Sequence, residues 1–149
     1  MDERSYNRYA GFVNSLSALS QIRTRDLSDE FVQSGAGAKF NITFDLAWKV
    51  MKDIIIQEFA IVDFPTGSPR EVLRKAFACG LISDDAWMQM LRDRNELTHD
   101  YDGSAVREVC GRILKQYLDL LEEFRATART YYVQTEASPE KKQADRPMA

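Results

Sequence analysis

The segment RDRNELTHDY, residues 92–101, sets the chain's one histidine, His99, beside Arg92, Arg94, Asn95 and Tyr101. Histidine titrates near neutral pH and can take a proton from a ribose 2′-hydroxyl or return one to a leaving oxygen. Arginine stays charged and can hold a phosphate through parallel N–H donors while negative charge grows on it. Asn95 could fix the imidazole tautomer through a hydrogen bond. Tyr101 offers a phenolic hydroxyl as a partner or as the acceptor of a transferred group. Arg94 and His99 are therefore the candidate catalytic residues, with Arg92, Asn95 and Tyr101 as candidate substrate-binding residues. The chemistry they suit is metal-independent cleavage of RNA, or binding of a nucleotide phosphate.

Helical geometry complicates that picture. At about 100° per residue, Arg92, Asn95, Glu96 and His99 share one face, and Arg94 lies on another with Thr98 and Tyr101. Arg94 and His99 converge only if the helix unwinds near His99, as the Asp102-Gly103 turn permits, or if a two-fold interface brings two copies together. From spacing alone a solvated charged face is the simpler account, with Asp93, Glu96, Asp100 and Asp102 neutralising the two arginines.

The elements that must position these residues are helices. Tyr9, Phe12, Val13, Leu16 and Leu19 recur at three- and four-residue steps and predict a helix from about Arg4 to Ile22. Ser34, Gly35 and Gly37 interrupt the pattern. Phe40, Phe44, Trp48, Met51, Ile55, Phe59 and Val62 then form the strongest stripe, predicting a helix over about Ala38–Ile61 that Pro65 and Gly67 end. Ser68-Pro69-Arg70-Glu71 reads as a capping box with proline at the first helical position; that helix stops near Gly80. Ser83, Asp84 and Asp85 start a fourth helix, which carries Trp87, Met90 and Leu91 into the motif. After the turn at Asp102-Gly103-Ser104, a last stripe from Val106 through Phe124 reaches toward Tyr132. No period-two alternation is long enough for a strand. The fold class is all-α: an antiparallel bundle of about five helices, three long and two shorter. Residues 1–132 read as one domain and 133–149 as a disordered tail with charge, proline and few bulky apolar groups.

Composition excludes several function classes. The 149 residues suffice for one domain that buries roughly 70% of its unfolded surface. A net charge of −3 provides no global field for nucleic acid, so any such binding needs a local patch. Cys79 and Cys110 lie in apolar, helical surroundings without metal-ligand spacing and read as buried, reduced thiols. No apolar run approaches a membrane span and the charged N-terminus is no signal peptide, so the expectation is a cytoplasmic protein. Trp48 and Trp87 read as core residues, and Asp45 with Lys49 as an exposed pair one turn apart. GSPREV has phosphate-binding ingredients at a helix N-terminus, but its cap already accounts for Ser68 and Glu71. No nucleotide-loop or zinc-hydrolase motif occurs, and neither a metal nor a cofactor is expected.

Three segments, FNITFDLAWKVMKD (40–53), SPREVLRKAFACGLI (68–82) and DDAWMQMLRDRNELTHDYD (84–102), change the balance. With Arg94, Asn95, His99 and Tyr101 in an ungapped R-N-x-x-x-H-x-Y arrangement, the chain resembles the nucleotidyltransferase substrate-binding proteins of the HEPN superfamily. The resemblance implies a bundle that forms a homodimer with both motifs near a shared groove. It also implies a partner, a small nucleotidyltransferase using ATP and Mg²⁺, for which this chain is the substrate-binding subunit for a nucleotide or RNA phosphate. An alternative implied by related pairs is a metal-independent endoribonuclease toxin, silenced when the partner transfers a nucleotide to Tyr101.

Overall fold

A computed structural model describes residues 1–100 and 102–144, with side chains as far as Val133. Six helical segments follow one another: α1 (Glu3–Ser20), α2 (Glu30–Glu58), α3 (Pro69–Ala78), α4 (Ala86–Leu97), α5 (Ser104–Arg112) and α6 (Leu118–Ala144). A 3₁₀ turn, Gln21–Thr24, closes α1. A single π turn, Ile113–Tyr117, joins α5 to α6 in one continuous rod. The bundle thus has three long members and two short ones, and no strand occurs among the described residues. The all-α expectation holds.

The stripes read from sequence are the faces that pack. α2 is the central member, contacting α1 and every later helix. Phe12 and Leu16 of α1, Phe40, Phe44 and Met51 of α2, Trp87 of α4 and Phe124 of α6 are almost wholly shielded from solvent. Their rings form a chain through the core. Phe44 lies 6.3 Å from Trp87, Trp87 meets Phe124 edge-on at 5.9 Å, and Phe124 lies 5.7 Å from Phe12. Each such side chain contributes about 1.5–3 kcal/mol by leaving water, which makes this seam the main reason the rods stay aligned.

α6 runs to Ala144, beyond the Tyr132 end expected from sequence, and boundaries differ from the expectation in three further places. α2 begins at Glu30, not Ala38, because Asp29 caps it by accepting the Phe31 amide at 2.8 Å. Gly37 therefore sits inside the helix, where a Cβ would lie 2.7 Å from Val106 Cγ2. The glycine marks the crossing of α5 over α2. Gly37→Ala is expected to cost about 1–3 kcal/mol despite alanine's better helix propensity, a change readable in the urea midpoint. α2 also stops at Glu58, so Val62 stands in solvent rather than extending the stripe. α4 starts at Ala86, whose amide is taken by Asp84 Oδ1 at 2.8 Å, so Asp84 rather than Ser83 supplies the capping oxygen.

The capping box at α3 forms as read. Ser68 Oγ accepts the Glu71 amide at 3.2 Å, and the Glu71 carboxylate accepts the Gly67 amide at 2.9 Å. The protein's own carboxylate thus occupies the place a phosphate would take there. Trp87 is core as expected, whereas Trp48 is only half-buried and donates its indole N–H to Asp45 at 3.2 Å. Cys110 is buried and Cys79 half-buried; both are free thiols, and burial pushes the Cys110 thiol above its ordinary range.

Candidate functional site

α4 carries Arg92, Arg94 and Asn95 and ends at Leu97, two residues before His99. The unwinding that the motif required is present: Thr98 closes the helix, and the His99 amide donates to Glu96 O at 2.9 Å in the following turn. Arg94 does not reach His99. It turns instead to α2, donating through Nη2 to Asp45 Oδ2 at 3.1 Å, and through Nη1 to Asn95 Oδ1 at 3.0 Å. Asp45 also accepts from Trp48, so Trp48, Asp45, Arg94 and Asn95 form one hydrogen-bonded chain across the α2–α4 seam.

These contacts revise two expectations. Asp45 pairs with Arg94 across helices rather than with Lys49 on its own helix; Lys49 lies 5.7 Å over the Trp48 ring. Asn95 bonds Arg94 and not the imidazole. Arg92 is exposed, and among the described residues its side chain bonds only Gln89, at 3.0 Å, away from the seam. His99 is exposed, and its imidazole has no hydrogen bond or ion pair with another described residue. Tyr101 lies outside the described residues.

The surrounding acids do not neutralise the motif as their spacing suggests. Asp100 accepts the Ala105 and Val106 amides at 3.0 and 2.8 Å, capping α5. Asp102 accepts the amide and hydroxyl of Ser104, and those bonds hold its carboxyl below the ordinary range. Both are committed to the turn that follows His99. They satisfy helix-start amides that would otherwise lack partners.

Asp93 is the unexpected member. It is 1% exposed and accepts from Arg112 Nε and Nη2 at 2.8 and 2.9 Å, and from the Tyr117 hydroxyl. Arg112 and Tyr117 are five residues apart, and the π turn between them brings both onto the face that meets α4. Tyr117 in turn stacks on Phe40 at 5.6 Å. This buried node fixes the residue immediately before Arg94. Burial and, after it, the Asp93 bond push the Tyr117 phenol well above its ordinary value.

Beside the seam, Ser34, Ala38 and Asn41 of α2 face Leu97 and Asp100 across an open cleft of about 380 Å³. Asn41 Oδ1 is buried there without a hydrogen-bond partner among the described residues. No cluster of three or more His, Cys, Asp or Glu side chains among the described residues could hold a metal ion. No described helix is long and apolar enough to cross a membrane. The arrangement offers a forked cation held at a helix seam and, beyond the helix end, an exposed imidazole with no partner among the described residues. Those groups suit a phosphate. Sequence reasoning missed Asp45, Asp93 and Arg112; only the Asp45–Trp48 spacing carried a signal for the first. A model of the family described as nucleotidyltransferase substrate binding protein like matches residues 6–130. No curated protein matches the chain.

Proposed function

This chain belongs to the nucleotidyltransferase substrate binding protein-like family, and from that premise we propose that it is the substrate-binding subunit of a two-component minimal nucleotidyltransferase. In this reading it holds a nucleotide or RNA phosphate at the Arg94–His99 end of α4. The observation that carries the site is the state of Arg94. Its bonds to Asp45 and Asn95 fix the guanidinium plane yet, among the described residues, engage two of about five N–H donors, which leaves donors for a ligand. ATP and Mg²⁺ belong to the partner enzyme's chemistry.

Pairing of two copies completes the site in this reading. Phe31 and Ile42 of α2 are 89% and 51% exposed, with Gly35 and Ala38 between them at helical spacing. Such an outward apolar stripe suits an isologous contact. Ala38 also lines the cleft beside Leu97 and Asp100, so a second copy seated on the stripe borders the motif.

A second reading rests on one specific feature, the exposed His99 imidazole, which no described residue engages. A general acid–base needs that freedom, and it fits a metal-independent endoribonuclease that the partner silences at Tyr101. The two readings separate in one experiment: labelled RNA is incubated in EDTA with the wild-type chain or His99→Ala, with sedimentation run alongside. The substrate-binding reading expects no cleavage by either protein, dimers from both, and nucleotide transfer by the partner that depends on this chain. Cleavage by wild type with a loss of about 10²–10⁴-fold in the variant would replace it with the nuclease.

A further inference from the structure

We propose that the groove between α1 and α6 is the docking site for an acidic amphipathic helix of the nucleotidyltransferase partner, an inference that rests on the partner-subunit reading. The groove has a volume of about 950 Å³ and lies away from the motif. Arg129 is 25 positions along the α5–α6 rod from Ser104, roughly 37 Å at helical rise, so the groove and the motif cannot serve one small ligand.

Charge indicates what the groove takes. The chain carries 23 acidic residues, yet among the described residues no Asp or Glu lines this groove, whereas Arg125 and Arg129 do. Arg125 pairs with Glu122 along its own helix at 3.0 Å. Arg129 is exposed and has no ion pair among the described residues. Asn7 and Asn14 edge the α1 side, and their amides likewise have no described partner. The rim thus presents unspent cationic and amide groups to an acidic partner.

Shape indicates a helix. The α1 edge from Asn7 to Asn14 runs about 10 Å, close to two helical turns. Ala10 and Ala126 are exposed on the two walls, and such small side chains let a third helix approach at about 8–10 Å between axes. The floor is already rigid: Tyr9 stacks on Tyr132 at 4.4 Å, and Tyr132 is hydrogen-bonded to Ser5 at 3.0 Å. A preformed groove avoids most of the ordering cost of binding. The chain's own residues 134–149 carry three acids and three bases, so they lack the charge complement.

The test is the affinity between the full chain and a purified small nucleotidyltransferase, the partner the proposed function requires, measured for wild type, Arg129→Glu, Ala10→Arg and, as a charge control on exposed α3 surface, Arg74→Glu. The groove reading expects tenfold or greater weakening by Arg129→Glu and by Ala10→Arg, with melting temperatures and Arg74→Glu affinity unchanged. Tight binding by wild type with equal binding by both groove variants would overturn the groove while leaving the partner reading intact. Absence of binding by wild type would overturn both.

Discussion

Replacing Asp93 with alanine is expected to lower the stability of the folded chain by about 3 kcal/mol, read as a fall in the urea midpoint without a change in slope. The carboxylate is the common acceptor for Arg112 and Tyr117. Once it is gone, Tyr117, which is fully buried, keeps a hydroxyl with nothing to donate to. Arg112 is a third exposed along its side chain and can turn to water, which keeps the cost at the low end for a broken buried pair. Asp93→Asn retains the shape but loses the charge and should cost about 1.5–3 kcal/mol. Tyr117→Phe removes one bond and leaves the arginine pair, at about 1 kcal/mol.

The same node sets a pH signature. The Tyr117 phenol has a folded-state pKa raised above its unfolded value near 10, chiefly by burial and then by the Asp93 bond. A raised pKa contributes stability that is complete below the unfolded value and is lost as pH climbs through the folded one. Wild type should therefore lose stability from about pH 10 upward, and Tyr117→Phe should flatten that decline. Tyr132, whose phenol burial pushes up to about 12, adds a residual slope of the same sign. An alkaline profile indifferent to Tyr117→Phe, or an Asp93→Ala midpoint equal to wild type, would remove the node from the account of stability.

What the sequence made legible, and what it hid, follows from the range of each interaction. Periodicity sees one helix at a time, so Phe44, Trp87 and Phe124 were readable as core, and Ser68 with Glu71 as a cap. Gly37 looked like a breaker because the reason for it, Val106 on α5, lies on another element. Asp45 looked like a partner for Lys49 because the four-residue rule knows nothing of α4. Asp93 was hidden more deeply. On a regular α-helix Arg112 and Tyr117 would point about 140° apart, and only the π turn aligns them on one acceptor. His99 and Arg94 stood out as candidates from their types, but their separate orientations depend on where α4 ends and on what α2 presents.

Arg94→Ala is expected to weaken binding of a labelled oligoribonucleotide or nucleotide phosphate by about 10- to 100-fold, the loss of one or two charge-assisted bonds. The fold should hardly respond, because the Arg94–Asp45 pair is 29% exposed on each side chain and pairs of that kind contribute about 1 kcal/mol or less. Arg94→Lys keeps the charge but not the fork. A lysine cannot hold Asp45 and Asn95 in one plane and still present parallel donors, so its affinity should fall nearer to alanine than to wild type. Asp45→Asn then decides how the seam works. If Asp45 mainly neutralises Arg94, the substitution frees positive charge and tightens phosphate binding. If Asp45 orients the guanidinium, the substitution loosens binding, and does so only while Arg94 is present. The shared chain from Trp48 through Asp45 to Asn95 favours orientation, because the indole N–H fixes the carboxylate that in turn holds the arginine. A double-mutant cycle with Asp45→Asn and Arg94→Ala should therefore show the two effects failing to add. Unchanged affinity in Arg94→Ala would assign the seam to packing alone and remove Arg94 from the proposed phosphate site.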